Sequence, residues 1–446
     1  LQIFTFFRFS QGNHPMPNFS QGLICALMLT AVVNKAIALP CSSNFTNQPP
    51  IPTSDNSLTL EGVLSHIRSA SPEVRLAGLK TLAQSADADQ AGRFLNPSLS
   101  AQVENFAGSG PLGGTKQAEI TLSYEQVLEL GDKRIKRERA ARAKAALVNA
   151  ECLQILKQSE LEASLIYFEL VTAVQLAEFA QQSAELSATL AQLVSKRVEA
   201  GAAAPPERLR AQSAASISQA MALSAEGQVE QHRYELAALW GEQAPTFEVY
   251  KANSLEVNVS EELLNSRVKW HPQLVSARAG ELANSAELDA AESLSIPDIS
   301  LSFGIRRFEQ TGDNAFLVGA TVPLPIFDRN RDAIRAASYR VQAQQVSAAQ
   351  VEIKLKTKQQ IAAAGVRAAQ GRLKLLEKEA LPAAELAYQA SVIGYKAGRF
   401  DLTSTLNARQ ELIDVGVSTI HARGALHKEL MQLKSLTGSE PFAGEF

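Results

Sequence analysis

The stretch Gly131–Gly201, GDKRIKRERAARAKAALVNAECLQILKQSELEASLIYFELVTAVQLAEFAQQSAELSATLAQLVSKRVEAG, decides the fold. Between Asp132 and Ala200 it contains no proline, and Leu153, Leu156, Leu161, Leu165, Phe168 and Val171 keep a spacing of about 3.5 residues, with alanine filling the gaps. At 1.5 Å per residue, a helix over these roughly 69 positions spans about 100 Å. No ordinary globular domain is that long. Small side chains between regularly spaced apolar ones suit helices that pack closely antiparallel and coil together.

Working outward, the same plan occurs twice. Pro72-Glu73-Val74 has a counterpart in Pro272-Gln273-Leu274, and Asn96-Pro97-Ser98-Leu99-Ser100 has one in Ile296-Pro297-Asp298-Ile299-Ser300. Further on, Gly131-Asp132-Lys133-Arg134 aligns with Phe327-Asp328-Arg329-Asn330, and Val198-Glu199-Ala200-Gly201 with Tyr395-Lys396-Ala397-Gly398. Leu209 and Ala211 match Leu406 and Ala408, and Leu236, Leu239 and Gly241 match Leu433, Leu436 and Gly438. Landmarks in one order at a nearly constant offset are the mark of a tandem duplication.

Each copy reads as a helix (Thr59 to Ala91; Leu263 to Ser295), a strand hairpin, a long helix (Asp132 to Ala200; Phe327 to Ala397), a tight break and a shorter helix (Pro206 to Trp240; Leu402 to Thr437). The two shorter helices of each copy add up to nearly the length of the long one beside them. Stacked end to end they make two columns of equal height per copy, and four per chain. In the hairpins, Leu99, Ala101 and Val103 alternate with Ser100, Gln102 and Glu104, and Ala118, Ile120, Leu122 and Tyr124 alternate with Glu119, Thr121 and Ser123. Ile299, Leu301, Phe303 and Ile305 repeat the pattern against Ser300, Ser302, Gly304 and Arg306; Ala315 to Val322 alternates less cleanly. One greasy and one wet face suit either a half-buried sheet or a lipid-facing barrel with a watery lumen. Glu104, Glu119 and Arg306 then read as a solvated wall.

Composition excludes several functions. Net charge is −3 and the isoelectric point about 6.2, which removes nucleic acid as a partner suggested by bulk charge. Cys25, Cys41 and Cys152 are too few for a disulfide framework, and neither they nor the six histidines fall at zinc-ligand spacing, so neither metal nor cofactor is expected. His421 and His427, six apart on one helix, read as solvated surface. Gly108-Ser109-Gly110-Pro111-Leu112-Gly113-Gly114-Thr115-Lys116 lacks the Gly-Lys-[Ser/Thr] order of a phosphate loop and joins two strands, so it reads as a hairpin turn. No nucleophile, metal or phosphate constellation supports an enzyme. The apolar run Leu23 to Val33, about 11 residues, is too short to span a bilayer as a helix. With Ala36-Ile37-Ala38 as cleavage site it reads as a signal peptide, the residues before Met16 being an upstream over-read. No Lys or Arg lies between Met16 and the run, and a buried core helix is the alternative. Cys41 follows Pro40, where lipidation wants a small residue. No other segment reads as a transmembrane helix, which argues against an inner-membrane pump.

Pro297-Asp298-Ile299-Ser300-Leu301-Ser302-Phe303-Gly304, Gly312-Asp313-Asn314 and Val322-Pro323-Leu324-Pro325-Ile326-Phe327-Asp328-Arg329-Asn330-Arg331 resemble the second strand pair and barrel-to-helix transition of the TolC family of outer-membrane efflux proteins, within it the cobalt-zinc-cadmium heavy-metal subgroup. Gly394-Tyr395-Lys396-Ala397-Gly398, with Leu406 and Ala408, is similar to the family's periplasmic helical turn. The resemblance covers about residues 58 to 438. It implies a mainly α fold, a long antiparallel helical coiled-coil barrel, with four strands per chain entering a trimeric 12-stranded outer-membrane β-barrel. It further implies a homotrimer in outer-membrane lipid that works with a periplasmic adaptor and an inner-membrane proton-driven pump in heavy-metal resistance. The chain then divides into a leader (1–38), a flexible segment (39–57), a first repeat (58–241), an equatorial linker (242–262), a second repeat (263–438) and a tail (439–446).

Gly201 and Gly398 sit where helices reverse, as left-handed caps require. On the resemblance these turns are periplasmic tips that dock the adaptor. Glu207 and Arg208 in the first tip, and Arg399 and Asp401 in the second, are the expected gate or docking charges. Ser404 and Asn407 occupy positions where some relatives carry an acidic ring, which leaves Asp401 as the nearest carboxylate. The rival reading is a periplasmic or cell-surface coiled-coil scaffold without channel activity; it leaves the matched hairpins unexplained.

Overall fold

Proline and cap residues set where the helices start and stop. The computed structural model describes residues 57–249 and 271–437, all within one unit, Leu39–Phe446. The leader, its cleavage site, Cys41 and the first part of the expected helix from Leu263 lie outside the described residues. A short strand β1 (Ser57–Leu58) precedes α1 (Leu60–Ala70), which Thr59 caps by accepting the Gly62 N–H at 3.2 Å. The single helix expected from Thr59 to Ala91 is in fact two. Ser71 is extended, with ψ 123°, and α2 (Pro72–Ala91) begins at Pro72, because a proline disfavours helical geometry in its predecessor.

The hairpin of β2 (Ser98–Glu104) and β3 (Glu119–Leu128) follows, with a single 3-10 turn at Gly110–Leu112 in its connection, so the glycine-rich segment is a turn. Then α3 runs unbroken from Lys133 to Glu199, 67 residues or about 100 Å. α4 (Pro205–Ala238) returns along it, and β4 (Glu248–Val249) pairs in parallel with β1. The second copy gives α5 (Pro272–Ser293), β5 (Ile299–Phe308) and β6 (Asn314–Thr321).

Its long helix departs from expectation at two points. It starts at Arg331 rather than Phe327, because Pro323 and Pro325 hold the chain extended and Asp328 accepts the Asn330 N–H at 2.9 Å in a turn. It is also interrupted: α6 (Arg331–Leu375) passes through a π turn, Leu376–Ala380, into α7 (Leu381–Lys396). Pro382 cannot donate to the fourth carbonyl back and would crowd it, and the wider turn relieves that conflict. The last helix is α8 (Leu402–Leu436).

The end-to-end stacking is visible in the cores. Val63, Ile67 and Val74 from the first two helices meet Leu236 and Trp240 at the end of α4, and both groups pack on Tyr167, Phe168 and Leu170, half-way along α3. In the second copy, Leu274 of α5 packs on Leu355, while Leu430 and Leu433 of α8 pack on Val366. Leu236 and Leu433, matched in the duplication, are both fully buried. Burying a leucine contributes about 1.5–3 kcal/mol, so each copy is fastened at its equator. α3 also packs against α5 and α8, which binds the two copies together.

One further reading is corrected here. His427 is not solvated: it is 6% exposed, stacked on Phe168 with centroids 4.6 Å apart. It lies on the same α8 stripe as Leu426, Leu430 and Leu433, which face the core. His421 is exposed as expected. A window of α3 is apolar enough to cross a membrane by composition alone, yet its Tyr167, Phe168, Leu170 and Val171 are buried against other helices. Finally, Cys152, 1% exposed, is disulfide-bonded.

Candidate functional site at the sheet and the helical tips

The strands form one antiparallel sheet in the order β2-β3-β5-β6. Its register collects side chains by type. Leu99, Tyr124, Phe303 and Val318 lie in one row across the four strands, and Ala101, Leu122, Ile305 and Phe316 in the next. These residues share a face, and Leu99, Phe316 and Val318 are 72%, 86% and 78% exposed. A soluble protein does not leave so contiguous a patch open to water. The opposite face is polar: Ser100 and Ser123 share a hydrogen bond at 2.7 Å. Arg306 donates to Thr121 and Glu119 at 2.9 Å and to Glu104 at 3.1 Å. The three charged residues read as a polar wall are thus one network across three strands. β2 and β6 are left as sheet edges, and in lipid unpaired edges must be satisfied by further strands.

Lys133 anchors the sheet to the helices. Its Nζ donates to Asp298 Oδ1 at 2.7 Å, and the same oxygen accepts the Leu130 N–H at 3.0 Å, so the entrance to α3 is tied to the strand start of the other copy. At the opposite end of the long helices are the tips. Gly201 and Gly398 have φ of 70° and 73°, the left-handed conformation expected of them. Each lets the chain close back on the helix: Ala202 N–H donates to Arg197 O at 2.8 Å, and Arg399 N–H to Gly394 O at 2.9 Å.

The structure brings Glu207 of the first tip to the second. Tyr395, 2% exposed, donates its hydroxyl to Glu207 Oε2 at 2.9 Å. Arg197 donates to the Tyr395 carbonyl and, at 3.2 Å, to that of Ala202, and its guanidinium lies 4.4 Å from the Tyr395 ring centroid. Burial foremost, then the Glu207 carboxylate, pushes the Tyr395 hydroxyl up to about 12, with Arg197 opposing. Further from the tips, buried Arg409 of α8 donates to Ser187 of α3 at 2.5 Å and to Ser218 of α4 at 3.5 Å. Desolvation holds its pKa below the ordinary arginine value. Arg197 and Arg409 have no role in the sequence reading, and Tyr395 stands there only as part of the Gly394–Gly398 turn. The one signal for Tyr395 is that it stands opposite Val198 in the paired landmarks, an aromatic hydroxyl in place of an apolar residue.

The other expected residues do not join this network. Arg208 is half-buried; Arg399, Ser404 and Asn407 are exposed. Asp401 caps α8 by accepting the Ser404 N–H at 2.8 Å, and that hydrogen bonding holds its carboxyl below the usual aspartate value. Among the described residues no ion pair joins Arg399 to Asp401.

The sequence profile of the Outer membrane efflux protein family matches residues 263–439, the second repeat. The chain is also 26% identical, over 385 residues, to the cobalt-zinc-cadmium resistance protein CzcC of Cupriavidus metallidurans, spanning 85% of this chain and 90% of that protein. The second repeat carries an outer membrane efflux protein domain, and the chain is homologous to CzcC. Solved structures share its fold. The outer membrane protein VceC of Vibrio cholerae superposes with a TM-score of 0.71 at 20% identity, covering 85% of this chain and 96% of VceC. The CmeC outer membrane channel of Campylobacter jejuni does so with 0.70 at 14%, covering 85% and 86%. The family of the matched domain is one of outer-membrane efflux ducts rather than of enzymes. The exposed apolar sheet face and the long helices have the character that lipid and a periplasmic extension would ask of them.

Proposed function

We propose that the chain is the trimeric outer-membrane duct of a tripartite pump that exports heavy-metal cations, passive itself and driven through a periplasmic adaptor by an inner-membrane proton-driven transporter. The observation that carries the trimer is the open four-stranded sheet with an exposed apolar face: three copies supply 12 strands and close the edges. Heavy metal as cargo rests on the likeness to CzcC. The helical tips dock the adaptor. The Arg197–Tyr395–Glu207 network holds the two tips of each chain together in the closed state, and Asp401, Arg399 and Arg208 are the charges nearest the opening, flanked by Ser404 and Asn407.

The test is metal retention in cells. A strain lacking this chain should accumulate cobalt, zinc or cadmium, and restoring the chain should return the cell content to the parental value. If metal content is unchanged while tolerance of organic toxins falls, the metal reading is wrong and the duct serves another pump.

A further inference from the structure

Away from the tips, His232 and Glu235 stand on α4 with Glu169 of α3 beside them, one ligand atom of each lying within 4.8 Å of the others. We propose that these three residues bind one divalent cation of the borderline class, Zn²⁺, Co²⁺ or Ni²⁺, bridging α3 to the C-terminal part of α4. The reading rests on geometry and donor chemistry and is independent of which pump the duct serves.

Residues three apart on a helix share a face, so the His-Arg-Tyr-Glu run 232–235 presents an imidazole and a carboxylate together. A second carboxylate from the neighbouring helix completes a nitrogen-and-oxygen set, with positions left for water. An imidazole donor favours zinc, cobalt or nickel over calcium and magnesium, which take oxygen ligands. His232 Nδ1 now lies 2.7 Å from Glu235 Oε2. A cation bonded to both at about 2.0–2.2 Å replaces the proton between them and sets the two atoms about 3.3 Å apart. The side chains have room for this, with 24%, 41% and 36% of His232, Glu235 and Glu169 accessible. Gln231 donates to the other Glu235 oxygen at 2.9 Å, orienting the carboxylate as outer partners of metal ligands do.

Lys428 of α8 decides the affinity. Its Nζ donates to Glu169 Oε1 at 2.5 Å, so an ammonium stands where the cation's third ligand is needed. The Lys428 side chain is 36% accessible and sits on a flexible stem, so an arriving dication displaces it at a cost in affinity. Two carboxylates against one ammonium leave the empty cluster negative while the imidazole is neutral.

The test is equilibrium dialysis of Zn²⁺ against the detergent-solubilised full chain, with Co²⁺ absorption as a report of nitrogen and oxygen ligation. One saturable site per chain is expected. His232→Ala and Glu235→Gln should each weaken it at least tenfold with unchanged melting, whereas His421→Ala, at an exposed histidine, should not. Lys428→Met should tighten it at least threefold. The proposal is overturned by the absence of a saturable site, or by binding that survives His232→Ala and Glu235→Gln. Failure of Lys428→Met to tighten binding removes Glu169 from the ligand set and overturns the bridge.

Discussion

Replacing Tyr395 with Phe removes one hydroxyl from the tie between the two tips and little else. The ring keeps its buried place and its contact with Arg197, while the 2.9 Å bond to Glu207 is lost. A hydrogen bond to a charged partner contributes about 1.5–3 kcal/mol. Glu207 is only half-buried and regains water, so the lower end applies, about 1.5 kcal/mol per chain. That is about tenfold in the closed-to-open ratio for one chain, and about a thousandfold if three tips release together. Single-channel recording in planar bilayers reads this as open probability. Wild-type protein should also respond to alkali. The folded state holds the Tyr395 proton more tightly than the released one, up to about 12 against an ordinary 10.0. The tie is therefore complete below pH 10 and is lost as the pH rises toward 12, and Tyr395→Phe should lack that response. Unchanged open probability in both Tyr395→Phe and Glu207→Ala would refute the tie.

Burial foremost, then the charges of Arg423 and Lys434, lowers the His427 pKa from 6.5 to about 4. Its contribution, at most about 3 kcal/mol, is complete above pH 6.5 and lost as the pH falls toward 4; thermal melting between pH 7.5 and 4.5 should be less steep in pH for His427→Gln than for wild type. Gly398→Val forces a β-branched residue to φ 73°, costing about 1–2 kcal/mol locally, and should lower adaptor cross-linking while leaving assembly intact. Asp401→Asn keeps a good helix cap but removes the charge, so reversal potentials at low salt should show a smaller cation preference, whereas Ser404→Ala and Asn407→Ala should alter opening more than selectivity. Identical reversal potentials would leave Asp401 a cap only.

The features legible in the sequence are those written in local periodicity. The proline-free run of α3, the alternation in β2, β3 and β5 and the paired glycines at the tips each need only neighbours in the chain to be read. Pro72 and Pro382 stand in the sequence too, each inside a run that otherwise reads as one helix, and the backbone yields at each ring. His427 could have been found from its place on the Leu426–Leu430–Leu433 stripe. The tip network is of another kind. Arg197, Glu207 and Tyr395 come from three helices, and Tyr395 lies 198 residues beyond Arg197, so only the pairing of the two copies in space brings them together. The same holds for Arg306, whose carboxylate partners are 187 and 202 residues away.

Closure of one barrel by three chains is tested most directly by the mass of the protein extracted from outer membranes. Light scattering corrected for bound detergent should give three times the 48.0 kDa of the full chain, less the leader if it is removed. A stable monomer that stays in solution without detergent would contradict the lipid-facing sheet and the duct built on it.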